Sequence, residues 1–344
     1  MTAAQPFDAK PLLARIAAGE RLSPDDVFHA LDRMTSRDAP PAQMGAFLKG
    51  LRVRGETVGE LTGAARLLRA RMVPVRAPVD AVDIVGTGGD GLKTYNVSTA
   101  AAFVAAGAGL KIAKHGNRSV SSLSGASDVL TALGVKIDLA PGAISKAIDE
   151  ANVGFLWAPM HHAAMKVWAP VRAELGVRTL FNLMGPLCNP ANVTHQVVGV
   201  FAPEWVEPIA NVLKQLGSEH ALVVHGRDGL DEVSTTGPTL VAELKDGAIR
   251  TFELTPEEAG LPRAAIADLK GGDAVTNAAA LRAVLDGTPG AYRDIVLINA
   301  AAALIAGGKA AAWKNGVDLA AKSIDSGNAR AALDRLIAVT NRTS

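Results

Sequence analysis

Along the first 70 residues apolar side chains return at helical spacing, as at Phe47, Leu48 and Leu51 and again at Leu67 and Leu68, with polar positions between them. Three stretches add start and stop signals. "LSPDDVFHALDRM" offers Ser23 as an N-cap and Pro24 at the first helical position. "PAQMGAFLKGLRVRG" reads as a helix from Ala42 to Arg54 that stops at Gly55, and "ETVGELTGAARLLRARM" starts another at Thr57. Pro74 and Pro78 break this pattern, and the chain beyond them alternates short β-branched runs with helical stretches. The predicted strands are Val82–Val85, Leu110–Ala113, Val153–Trp157, Gln196–Phe201, Ala221–His225 and a hairpin over Thr239–Leu254 turned at Asp246-Gly247. The pattern therefore predicts a helical domain over residues 1–75 and an α/β domain over 76–344, with a mainly parallel sheet and an antiparallel appendage.

Ligands of such sheets gather beyond the C-terminal strand ends. Four segments leave predicted ends: "VGTGGDG", "KHGNRSVSS" after residue 113, "APMHHAAM" after 157 and "HGRDGLDEVST" after 224. The unusual polar residues thus converge on one rim, as a binding cleft requires.

Composition narrows the class. With 344 residues, 49% hydrophobic and 20% charged, the chain has apolar material for one large or two ordinary domains. A net charge of +1 argues against a broad nucleic-acid or membrane footprint and leaves room for a local basic pocket. The lone Cys188 excludes an internal disulfide framework and reads as a small packed residue. The N-terminus lacks a basic segment followed by an apolar core, and "STAAAFVAAGAGL" and "VLINAAAALIAGG" are shorter than the roughly 18 to 20 residues needed to span a bilayer. The expectation is a cytoplasmic protein. Abundant alanine with only 4% aromatics suggests close-packed helices.

The loop after the first strand satisfies G-x-G-x-x-G at Gly86, Gly88 and Gly91, yet no acid follows about 20 residues later to bind a ribose; the position falls near Lys111. It also misses the Walker A pattern, because Leu92 intrudes before Lys93-Thr94. What remains is phosphate chemistry of another kind. Glycines at 86, 88, 89 and 91 let backbone amides approach an anion closely, and Asn96, Ser98 and Thr99 begin a helix whose free N–H groups and dipole favour a second one. Taken alone, Asn96 reads as a plain N-cap; the glycine-rich loop directly upstream favours the phosphate site. In "KIAKHGNRSVSS", Lys114 and Arg118 supply charge, His115 and Asn117 neutral hydrogen bonds, and Ser119, Ser121 and Ser122 hydroxyl donors. Asp231-Glu232, taken alone, reads as either a solvated acidic turn or a hard-oxygen site.

"GTGGD" at 86–90, "NVST" at 96–99, "KHGNRSVSS" at 114–122, Arg172 in "APVRAELGVRTLFNLMGPLCNP" and "DEVS" at 231–234 together resemble the anthranilate phosphoribosyltransferase family, in order and over nearly the whole chain. The resemblance implies a small helical domain completed by an excursion at about 170–190, and a homodimer through that domain. It implies transfer of phosphoribose from phosphoribosyl pyrophosphate to the amine of anthranilate, with release of pyrophosphate. Donor contacts would come from Gly86, Gly89, Asp90 and Thr94, from Asn96, Val97, Ser98 and Thr99, and from Lys114, His115, Gly116, Asn117, Arg118, Ser119, Val120, Ser121 and Ser122. Anthranilate would meet Gly86, Asn117, His162 and Arg172, the last pairing its carboxylate in a fork. Ser98, Asp231 and Glu232 would hold Mg²⁺, two ions per monomer. Asp90, out of place beside a bare phosphate, suits a metal-bound pyrophosphate, where it can take a metal water or a ribose hydroxyl.

Ala126 departs from the pattern, which carries a serine there, and puts that one contact in doubt. No covalent nucleophile motif is present, which suits catalysis by orientation and electrostatics, with Lys114, His115 and Asn117 positioning the reactants. Two other readings share the cleft: a pyrimidine nucleoside phosphorylase, and a noncatalytic relative that binds nucleic-acid backbone. The KHGN run and Arg172 favour a carboxylate acceptor over the first; the small net charge and the acidic rim pair count against the second.

Overall fold

The structure is a computed structural model that describes residues 7–36, 39–118 and 124–342. Four helices open it: α1 (Lys10–Ala17), α2 (Pro24–Ser36), α3 (Pro41–Arg54) and α4 (Val58–Arg71). The eight-residue α1 is one the sequence pattern did not flag. Thr57 caps α4 as expected, in a capping box: its hydroxyl accepts from the Glu60 amide at 3.2 Å while its own amide donates to Glu60 Oε2 at 2.9 Å. Glu60 is completely buried, and it also accepts from the Leu22 amide at 2.9 Å and pairs with Arg54. One carboxylate thereby ties the α1–α2 connection, the end of α3 and the start of α4 together. Phe47, Leu48, Leu51, Leu61 and Leu67 fill the space between these helices, and Trp168, Phe181, Leu183 and Met184 from the middle of the chain pack into the same cluster.

Seven strands form one sheet: β1 (Val82–Gly86), β2 (Ile112–Gly116), β3 (Val153–Trp157), β4 (His195–Gly199), β5 (His220–Gly226), β6 (Thr239–Lys245) and β7 (Ala248–Leu254). Their order is β3-β2-β1-β4-β5-β6-β7; the first five in chain order run parallel, and β6 and β7 are antiparallel. The hairpin turns at Asp246 (φ 51°) and Gly247 (φ 75°), both left-handed as a two-residue type I′ turn requires. Side chains alternate between faces: Val197, Leu222, Val224 and Val241 join one core, and Val198, Val200, Ala221, Val223 and Ala242 the other.

On the first face lie α5 (Val97–Gly107) and the helices Ala291–Ala306, Trp313–Asp325 and Asn328–Arg342. Alanine and glycine let them approach closely: a Cβ on Gly316 would sit 2.8 Å from Ala301 Cβ, and one on Gly107 2.5 Å from the Ala329 amide. Among the described residues no helix is long and apolar enough to cross a membrane.

One strand sits differently from expectation. β2 spans 112–116, so Lys114 and His115 belong to the strand and not to the loop after it. A strand interior tolerates these polar residues because each has buried partners: Lys114 Nζ donates to the Ile84 carbonyl, and the His115 amide donates to Asp83 Oδ1 at 3.0 Å. The strand order reverses between β1 and β4, whose ends are level (Gly86 opposite Gly199), and this opens a crevice at the C-terminal rim.

Candidate active site

The loop leaving β1 crosses this crevice with Gly88, Gly89 and Gly91 all at positive φ, between 68° and 82°. The Gly88 amide does not face empty space; it donates to Asp231 Oδ2 at 2.7 Å. At the start of α5 the Ser98 amide donates in the same way to Glu232 Oε1 at 3.1 Å. The two rim segments and the acidic pair, more than 130 residues apart in sequence, therefore meet in one place. Asp231 is buried and Glu232 half-buried. Burial and then Asp90 push the Asp231 carboxyl up to about 6; burial and the neighbouring Asp231 push Glu232 up to about 8. Asp90 is likewise raised, by burial first. Three acids crowded this way are short of positive charge. The buried Lys114 supplies one cation: its Nζ is 3.2 Å from Ser98 Oγ, and burial lowers its pKa against the opposing pull of Asp83, Glu232 and Asp231.

Among the described residues no three His, Cys, Asp or Glu side chains cluster as a self-contained metal cage. The Ser98 hydroxyl and the two carboxylates are hard oxygen donors, too few to complete an ion's shell. Their electrostatic shortfall fits a magnesium-type ion that takes its remaining ligands from water and a bound polyanion.

Asn96 is not a simple N-cap. Its side chain makes no capping bond; it donates to the Ser124 carbonyl at 3.2 Å and accepts from Asn277 Nδ2 at 2.9 Å, while its own carbonyl accepts from Tyr292 Oη at 3.3 Å. Tyr95 stacks on Tyr292 with centroids 4.3 Å apart. These contacts fix the path of the chain before Val97 and leave the first amides of α5 turned to the rim. Thr99 is buried in the first turn, and Thr94 bridges to Lys270. Gly116 ends β2, where a Cβ would lie 2.7 Å from Phe155. Asn117 and Arg118 are exposed, with Arg118 near Trp157, its guanidinium carbon 5.9 Å from the ring centroid. Ser119, Val120, Ser121 and Ser122 lie outside the described residues.

Across the rim, His115 and His162 face each other with centroids 5.1 Å apart. His115 Nδ1 donates to the Gly185 carbonyl at 2.9 Å, which leaves Nε2 as the acceptor nitrogen; Nε2 of both rings is buried without a protein partner. Burial, then the proximity of the other histidines, holds His115 down at about 3 and His162 at about 4, so both are neutral at pH 7. Behind them is a polar group the sequence pattern missed. Asp83, fully buried on β1, accepts from the His115 amide and from Asn189 Nδ2 at 2.7 Å, and Asn189 also donates to the Ala113 carbonyl at 2.8 Å. Only a lone acid inside an apolar strand hinted at it.

Arg172 lies half-buried on the helix Ala169–Leu175, its guanidinium carbon 5.7 Å from the Phe181 centroid. Burial alone perturbs it, and among the described residues no acid pairs with it. Arg178, also unflagged, donates to the Gly89 carbonyl and stacks 4.2 Å from the Phe201 centroid, tying the segment that carries Arg172 to the glycine loop. The site thus joins an oxyanion-binding half with metal-type oxygens to an unpaired arginine and two neutral imidazoles.

Comparison with known proteins identifies the family. The chain matches the glycosyl transferase family helical bundle domain over residues 10–72 and the glycosyl transferase family a/b domain over residues 78–330. It is 60% identical to an anthranilate phosphoribosyltransferase of Rhodopseudomonas palustris strain BisB5, over 97% of this chain and 99% of that relative. The crystal structure of anthranilate phosphoribosyltransferase from Thermus thermophilus superposes with a TM-score of 0.90 at 42% identity, covering 96% of this chain and 99% of that one. The Saccharomyces cerevisiae enzyme in complex with PRPP and Mg superposes with a TM-score of 0.89 at 31% identity, covering 98% and 100%.

Proposed function

The chain belongs to the anthranilate phosphoribosyltransferases of the glycosyl transferase family, and from that membership we infer how its own residues divide the work of the reaction. The protein transfers the phosphoribosyl group of phosphoribosyl pyrophosphate to the amine of anthranilate, a step of tryptophan biosynthesis that uses Mg²⁺. The amine nitrogen bonds to ribose C1, the C1–O bond to pyrophosphate breaks, and the amine gives up a proton.

In our reading the Gly86–Asp90 loop, Thr94, the amides and hydroxyls of Asn96–Thr99, and the segment 114–122 hold the donor. Ser98, Asp231 and Glu232 would hold Mg²⁺, two ions per monomer, which would supply positive charge for the pyrophosphate. Lys114 adds a fixed cation to the same half. Arg172 receives the anthranilate carboxylate, with Gly86 and Asn117 lining the approach. The neutral His115 and His162 each keep a buried acceptor nitrogen for the amine's proton, and burial keeps them unprotonated. We also read residues 1–75 with the excursion 170–190 as the unit that pairs two copies in a homodimer; light scattering at micromolar concentration should report a dimer. The single buried cysteine suits a reducing, cytoplasmic setting.

The observation that carries this division is the meeting of Asp231 and Glu232 with the Gly88 and Ser98 amides. Its test is the loss of anthranilate fluorescence on adding phosphoribosyl pyrophosphate and Mg²⁺. Asp231→Ala and Glu232→Ala are expected to lower turnover and weaken the Mg²⁺ dependence while the apo protein stays folded, because rim oxygens add little to folding without their ion. Unchanged activity and metal response in both variants would leave only a solvated acidic turn.

A further inference from the structure

We propose that Asn299 is a positioning residue for the Asp231–Glu232 turn, holding the metal-binding carboxylates in register from the core side. The proposal rests on the reading of that pair given above.

Asn299 is completely buried in the helix Ala291–Ala306, among residues that are buried without a break from Ile295 to Ala306. A polar side chain there is costly unless its hydrogen bonds are made, and three of them are. Oδ1 accepts from the Val233 amide at 2.9 Å, and Nδ2 donates to the Val233 carbonyl and to the Ile295 carbonyl, both at 2.8 Å. The side chain grips the main chain of one residue at both its donor and its acceptor, as a neighbouring strand would. Val233 follows Glu232 directly. Of the common side chains of this size, only an amide offers both roles: Asp lacks the donor and Leu lacks both.

From the opposite side the turn rests on glycine. A Cβ on Gly199 would fall 1.6 Å from the Asp231 carbonyl oxygen, and one on Gly86 2.4 Å from Asp231 Oδ2. The turn is therefore seated between the ends of β1 and β4 and the Asn299 amide. The hydrogen bonds to Gly88 and Ser98 each occupy one oxygen of a carboxylate, and a bound metal would compete for those oxygens. The grip on Val233 is independent of those oxygens and persists. Its loss is expected to weaken metal-dependent donor binding and to leave the acceptor half, across the rim, untouched.

The test compares Asn299→Leu and Asn299→Asp with Asp231→Ala and with Leu297→Ala, a cavity-forming change at a buried apolar side chain on the same helix that makes none of these hydrogen bonds. Phosphoribosyl pyrophosphate is titrated calorimetrically with and without Mg²⁺, and amide hydrogen exchange is followed at Val233. Asn299→Leu is expected to weaken Mg²⁺-dependent donor binding about tenfold or more and to speed exchange at Val233, with the anthranilate Michaelis constant within about threefold of wild type. Asn299→Asp, which keeps the acceptor for the Val233 amide, falls between, and it carries the comparison alone where the leucine variant fails to fold. Leu297→Ala loses stability and binds donor as wild type does. Wild-type donor binding in the Asn299 variants, or equal weakening in Leu297→Ala, overturns the proposal while Asp231→Ala still loses metal-dependent binding. If Asp231→Ala keeps that binding, the metal reading fails and the proposal with it.

Discussion

Arg172→Ala separates the two halves of the cleft most cleanly. The arginine is half-buried, burial alone lowers its pKa, and its guanidinium lies over the Phe181 ring. A guanidinium with no acid beside it has its full interaction to give to an incoming carboxylate, and a charge-assisted hydrogen-bonded contact of this type contributes about 1.5 to 3 kcal/mol. Partial exposure keeps the magnitude within that range and excludes the larger values of fully buried pairs. Converted to binding, this is about 10- to 150-fold. The assay is initial-rate fluorescence with each substrate varied in turn, at saturating Mg²⁺. The anthranilate constant should rise by that factor while the phosphoribosyl pyrophosphate constant stays within about threefold, because no donor contact depends on Arg172. Arg172→Lys should recover only part of the loss, since a point charge cannot reproduce a planar two-point contact. Thermal stability should change little: the variant loses a weak contact with Phe181 and is relieved of an uncompensated charge. A raised donor constant with an unchanged anthranilate constant would refute the division and place Arg172 on the phosphate side.

Gly86→Ala meets Asp231 and no strained backbone, since Gly86 is not at positive φ; displacement of the carboxylate should lower donor kcat/KM about 10- to 100-fold with little change in melting, and wild-type kinetics would refute the contact. His115 and His162 titrate lower in the folded state than the usual 6.5, so their neutral forms stabilise the fold above about pH 6.5, and that contribution is lost as the pH falls towards 4 and 3. Apo melting profiles should drop steeply over that window, and His162→Asn should flatten the slope by up to about 1.4 kcal/mol per pH unit; an unchanged slope would exclude the buried neutral imidazole. Glu60→Ala leaves Arg54 and two amides without their shared partner and should cost roughly 3 to 5 kcal/mol in urea unfolding, with turnover per folded molecule preserved; a loss below about 1 kcal/mol would contradict that role.

Local rules were sufficient where a few adjacent residues decide the conformation. Val153–Trp157 and the Asp246-Gly247 turn stand where alternation and turn chemistry place them, and Thr57 caps its helix as a capping-box residue should. They failed on β2, where polarity at Lys114 and His115 argued for a loop; the partners that make those side chains tolerable come from β1, about 30 residues away. The same distance hides much of the site. The motifs at 86–91, 96–99 and 231–232 are visible one by one, but Asn96 looks like an ordinary cap until Asn277 and Tyr292 arrive. Asn299 is one polar letter in an alanine-rich helix, and Asp83 one acid in an apolar strand. Neither carries a local signature, because each is explained only by the backbone it meets in the folded molecule.

The hydrogen bonds from Gly88 and Ser98 to Asp231 and Glu232 have a consequence for which anions can enter. The carboxylates of Asp231 and Glu232 sit on amides that a phosphate could otherwise engage. A bare phosphate or sulfate ion would have to compete with these tethered acceptors for the same amides, beside the crowded acids Asp90, Asp231 and Glu232. An anion that brings its own divalent cation would offer Asp231 and Glu232 the positive charge they lack, and the Gly88 and Ser98 amides would then be available to its phosphoryl oxygens. On the proposed reading the cleft would select an anion by the company it keeps, favouring pyrophosphate that brings its metal over a bare phosphate.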